Sequence, residues 1–150
     1  MSDTRSLKEV LAAADRTKLV DDVVRLIDEE VSRKGGVTGL ALKGGYAVVK
    51  KLKGGRMIHL AANNLLDDFT DAIDKIYEKF LGEGGTGGFT AFLARHEGEA
   101  TQALLGITDA RAKNSDHGVL RKTYEKLRPQ AEKHVKEALP GVGRLVTRYM

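Results

Sequence analysis

A chain of 150 residues with 41% hydrophobic and 31% charged side chains can bury one core, and its charge is too mixed for a disordered chain. The absence of cysteine excludes disulfides, thiolate metal sites and thiol nucleophiles. The net charge of +4 hides alternating blocks, with balances of −3 over residues 1–32, +7 over 33–56, −6 over 57–110 and +6 over 111–150. Such blocks suit internal or intermolecular charge pairing as readily as an external anionic partner.

The start, MSDTRSLKEV, carries an acid at position 3 and no apolar signal core, so no secretory leader is expected. No run approaches the roughly 18 apolar residues of a membrane span, and the expected location is the cytoplasm. Ser6-Leu-Lys-Glu9 is a capping box, which predicts a short helix running to about Ala14. A second helix is expected from Asp15 or Thr17, with Leu19, Val20, Val23, Val24, Ile27 and Val31 on its inner face. Asp21/Arg25, Glu29/Arg33 and Glu30/Lys34 supply i, i+4 pairs outside, and Gly35-Gly36 should end it.

Lys-Gly-Gly occurs three times, at Lys34, Lys43 and Lys53. The outer two read as helix stops. The middle one interrupts a helical pattern in which Val37, Leu40, Ala41, Gly44, Val48 and Leu52 share one apolar face. Gly44 inside that stripe costs about 1 kcal/mol relative to alanine. Close approach by another helix is the favoured compensation. A kink or break at Gly44-Gly45, or a ligand approaching the backbone, stays open.

Met57 to Phe80 predicts the strongest helix, with Ile58, Ala62, Leu65, Phe69, Ala72, Ile73, Ile76 and Phe80 as its stripe and Asp67, Asp71, Asp74 and Glu78 opposite. It runs into the glycine-rich stretch Gly82-Glu-Gly-Gly-Thr-Gly-Gly-Phe-Thr90. Phe89–Arg95 is expected to be helical with Thr90 as N-cap, and so is a segment from near Glu97 to Ala112 burying Ala100, Ala103, Leu104 and Ile107. Ser115 or Asp116 should cap the next helix, which carries Val119, Leu120, Thr123, Tyr124 and Leu127. Pro129 should break that helix or open another, and Pro140-Gly141 should close the pattern before a terminal helix. No period-2 strand is convincing. The expected fold is all-α, one compact domain over 1–150 of seven to nine mostly short helices, with 82–88 as an inter-helix connection.

The catalytic motifs fail one by one. Gly82, Gly84 and Gly87 satisfy G-x-G-x-x-G, but a dinucleotide site needs a strand before and a helix directly after, and here a helix precedes. The phosphate loop also lacks its lysine, replaced by Gly88. His96-Glu-Gly-Glu-Ala100 begins like a zinc protease motif but ends in alanine. Ser115-Asp116-His117 are sequence neighbours and cannot form a nucleophile–base–orienter line. The acidic stripe of the fifth segment reads as a solvated or partner-facing surface rather than a metal site, because bundle metals take inward carboxylates. No catalytic residue, cofactor or metal is expected.

The basic segment Arg33–Arg56 is the best functional feature. Lys43, Lys50 and Lys53 are expected opposite the apolar stripe with Tyr46 among them, so Lys43, Tyr46, Lys50, Lys53 and Arg56 form a candidate anion-binding set for nucleic acid or an anionic membrane. The bland reading of the same residues is a solvated face or a subunit contact. Arg121, Lys122, Lys126 and Arg128 could pair across an interface with the acidic 57–110 block.

Three stretches, VTGLALKGGYAVVKKLKGG (37–55), LRKTYEKLRPQAEKHVKEALPGVGRLVTRYM (120–150) and LVDDVVRLIDEEV (19–31), resemble a family of small, uncharacterised, all-helical actinobacterial proteins of unknown function. The resemblance implies the helical fold and gives no residue a role. The leading expectation is therefore a non-catalytic protein acting through protein contacts, including self-association as a homo-oligomer. The alternative is an accessory protein that binds nucleic acid or anionic lipid through residues 43–56.

Overall fold

The computed structural model describes residues 5–85 and 87–150. The first four residues of the chain and Thr86, which lies within the glycine-rich connection, fall outside that range. Eight helices and no strand occur among the described residues: α1 Leu7–Ala12, α2 Arg16–Arg33, α3 Gly36–Lys50, α4 Leu52–Gly55, α5 Met57–Gly82, α6 Phe89–Arg95, α7 Glu97–Lys113 and α8 Gly118–Tyr149.

The local chemistry explains most boundaries. Ser6 and Glu9 make both bonds of the capping box on α1, and Asp15 caps α2 by accepting from the Lys18 amide. The acidic stripe of α5 receives α1 and the start of α2: Asp74 accepts the Leu7 amide at 2.7 Å, Asp71 faces Lys8, and Asp67 pairs with Arg16 of α2. Charge complementarity is thus partly internal, and Asp109–Arg128 and Asp68–Arg111 extend it.

After α5, Gly84 has φ 88°, its amide bonds to the Leu81 carbonyl, and the Gly85 amide bonds to Phe80 at 3.0 Å. That is a Schellman stop, in which glycine supplies the left-handed φ that a side chain resists. The described part of the connection is a helix end followed by a joint.

The core draws on α1, α2, α5, α6, α7 and the C-terminal half of α8. Tyr77, Phe80, Phe89 and Phe92 meet at centroid separations of 5.2–5.9 Å in tilted and edge-on pairs at its centre. Leu66, Thr70 and Tyr77 are buried on α5, so its inner face is turned slightly from the expected one, leaving Leu65 and Phe69 half-buried.

Three expectations are corrected. Neither proline breaks α8, which runs 32 residues through Pro129 and Pro140, braced by α6, α7 and α3. Thr90 does not cap α6; Gly88 holds that position, and Thr90 lies against Gly143 of α8. His117, not Ser115 or Asp116, occupies the N-cap of α8, and Ser115 Oγ instead accepts the His117 amide.

Candidate interaction surface

Helix α3 is apolar nearly all round, with Lys43 and Lys50 its only charges. A helix of that composition gives no sign of which side faces inward. The structure packs the side bearing Gly39, Leu42, Gly45 and Val49 toward the protein, against α8, α2 and α5. A Cβ on Gly45 would lie 2.9 Å from Leu127 Cδ1 and 3.0 Å from Thr123 Cγ2, so the close approach occurs there. Gly44, expected to be the packed glycine, lies in an unkinked stretch of α3, and a Cβ placed on it would have no neighbouring atom within 4 Å.

The expected apolar stripe consequently faces outward. Val37 is 85% exposed, Leu40 71% and Val48 49%, and Ala41, Gly44 and Ala47 are exposed between them. No α3 residue belongs to the hydrophobic core cluster. Large apolar side chains gathered on one face of one helix are the kind of patch that marks a contact site.

Lys34 anchors the entry to this helix. Its ammonium is buried, 3.5 Å from a Glu30 carboxylate oxygen and 3.4 Å from Glu137, and it donates to the His134 carbonyl. A Cβ on Gly39 would stand 2.7 Å from the Lys34 carbonyl carbon, so the α2–α3 corner closes on glycine. Both ring nitrogens of His134 are buried without a hydrogen-bond partner. Burial first, and then the Lys34 charge, hold this imidazole below its ordinary pKa.

The candidate anion-binding residues are split. Lys43, Tyr46 and Lys50 line a shallow groove of about 700 Å³ between α2 and α3, which they share with Asp28 and Glu29. Tyr46 donates to Asp28, and Lys50 lies 3.4 Å from the same carboxylate and 5.7 Å from the Tyr46 ring. Burial and that hydrogen bond push the Tyr46 phenol up. Lys53 is not on α3. It sits in the corner at α4 with φ 55°, a left-handed conformation rare for a residue with a side chain. Arg56 stands at the N-terminal boundary of α5 without a side-chain capping bond and borders a separate groove with Arg16, Asp21 and His59. The sequence carries no signal for Asp28 and Glu29 as neighbours of Tyr46, because they come from another helix. No three His, Asp or Glu side chains lie close enough to hold a metal ion among the described residues, and no described helix is long and apolar enough to cross a membrane.

Residues 7–150 match a family of unknown function, DUF6918. The chain belongs to that family. No curated protein and no solved structure matches it. The DUF6918 match takes in α1 through α8, so the exposed α3 face lies within the domain that the family defines.

Proposed function

We propose that this DUF6918 protein is a non-catalytic interaction protein whose working surface is the outer face of α3. The observation that carries the reading is the exposure of Val37, Leu40 and Val48 on one unpartnered face. Leaving one such side chain in water rather than buried forgoes about 1.5–3 kcal/mol, and three together make a surface that gains by being covered. The polar groups nearest to it support the same reading, since Asp28, Tyr46 and Lys50 are engaged with one another.

The chain has no cysteine, so a Leu40→Cys variant places one thiol on this face. Alkylation of that thiol should be fast in dilute purified protein and slowed at least about tenfold in native cell extract, where the interaction exists. Equal rates in both, together with a purified chain that stays monomeric at high concentration, would sink the reading.

A second reading keeps one specific support: residues 33–56 hold seven basic and no acidic side chains. An anionic partner, nucleic acid or lipid, would use Lys43, Lys50, Lys53 and Arg56. It predicts binding that weakens steeply with salt and vanishes in the Lys43/Lys50/Lys53→Glu variant.

A further inference from the structure

The outer arc of α3 is nearly symmetric about Gly44. Ala41 and Ala47 stand three residues to either side, Leu40 and Val48 four residues to either side, and none of the five is charged. A two-fold axis through Gly44 that lays a second α3 antiparallel on the first would set Ala41 against Ala47, Leu40 against Val48 and Gly44 against itself. The small residues at the centre let two backbones come close, and the larger ones fill the space on either side. A surface that complements itself under a two-fold axis makes a closed, isologous contact.

Direction follows from charge. The stretch 36–42 carries no charged residue, whereas Lys50 and Lys51 stand at the other end. Antiparallel packing puts each basic end beside an uncharged one. Parallel packing would stack the lysines and align the two helix dipoles.

Helix α3 and the part of α8 before Leu139 bury little within the single chain. Its buried residues are Gly39 and Val49 alone, and those of the 32-residue α8 all lie from Leu139 onward. A contact made by the exposed side chains of a single helix is small, at the low end of specific interfaces and fit for a reversible dimer.

We infer that the partner of the α3 face is a second copy of this chain, packed antiparallel through Gly44. This rests on the reading of that face as the working surface. Lys43 of each copy lies near the axis on the same edge, so salt, by screening their repulsion, strengthens the dimer. An anionic partner responds to salt with the opposite sign.

Sedimentation of the full chain over a concentration series, at low and high salt, tests the inference. A reversible dimer that tightens with salt is expected. Gly44→Leu should leave the chain a monomer at every concentration without lowering its melting temperature, because the site is open space in the single chain. Mixed Leu40→Cys and Val48→Cys copies should cross-link to each other in preference to like with like. Like-with-like cross-links, or a Gly44→Leu dimer as tight as the parent, would overturn the geometry. A chain that stays monomeric throughout overturns the self-partner. If Leu40→Cys is nonetheless protected in cell extract, the interaction surface stands with another occupant; if it is unprotected there as well, both readings fall.

Discussion

At Gly143 an added methyl group would sit 2.8 Å from the Cα and Oγ1 of Thr90, so α6 rests on the backbone of α8. The neighbour is main chain and cannot step aside. Gly44, also helical, faces open space. Alanine should therefore act oppositely at the two positions. Gly44→Ala should raise stability by about 0.5–1 kcal/mol through helix propensity alone, and Gly143→Ala should lower it by about 1–3 kcal/mol through overpacking. Urea unfolding at low protein concentration measures both, and changes of the same sign would contradict the packing described. The sequence pointed to Gly44 because it lies within an apolar stripe. Gly143 lies beside Val142 and Arg144 in the segment after Pro140, where nothing local announces a neighbouring helix. A glycine's value depends on what crosses it, and single-chain periodicity does not contain the crossing helix.

Helices with one apolar face and one charged face were legible from the sequence: α2 and α5 begin and end close to where their periodicity places them. The Ser6 box and the glycine stop after α5 were equally plain, since their bonds form within a few residues. Two elements were not. For α3, apolar on both sides, the pattern fixed the helix and left its orientation open, and that orientation decides the candidate surface. For α8, the prolines suggested two or three segments where one continuous helix forms. A proline inside a helix removes one backbone bond and crowds the preceding turn, at a cost of about 3 kcal/mol, which packing along three neighbouring helices offsets. Pro129 is exposed, so its side chain contributes little to that packing. Pro129→Ala should restore the bond to the Glu125 carbonyl and raise stability by about 1–3 kcal/mol. A lower melting temperature for this variant would mean that the proline shapes a bend the packing needs.

At the scale of the whole molecule, Tyr46, Tyr124 and Tyr149 each fasten one helix to another through a carboxylate. Tyr46 joins α3 to α2 at Asp28, Tyr124 joins α8 to α7 at Asp109, and Tyr149 joins the end of α8 to α2 at Asp22. In each the phenol donates, so it must keep its proton. Burial, and then the hydrogen bond to the carboxylate, push Tyr124 and Tyr149 up to about 12, and Tyr46 shifts in the same direction. An unfolded tyrosine ionises near pH 10, roughly as in a short peptide. Below that pH both states hold the proton, and the bonds contribute their full stability. As pH rises above 10 the unfolded chain loses its phenolic protons first, so the stability linked to these groups drains away between about pH 10 and 12. Lysines titrate in the same range, which makes a subtraction necessary. The stability gap between the parent chain and Tyr149→Phe, measured by chemical unfolding at a series of pH values, isolates one bond. That gap should be constant through neutral pH and narrow above about pH 10. A gap that keeps its neutral value throughout the alkaline window would show that Tyr149 and Asp22 do not hold the end of α8 in place.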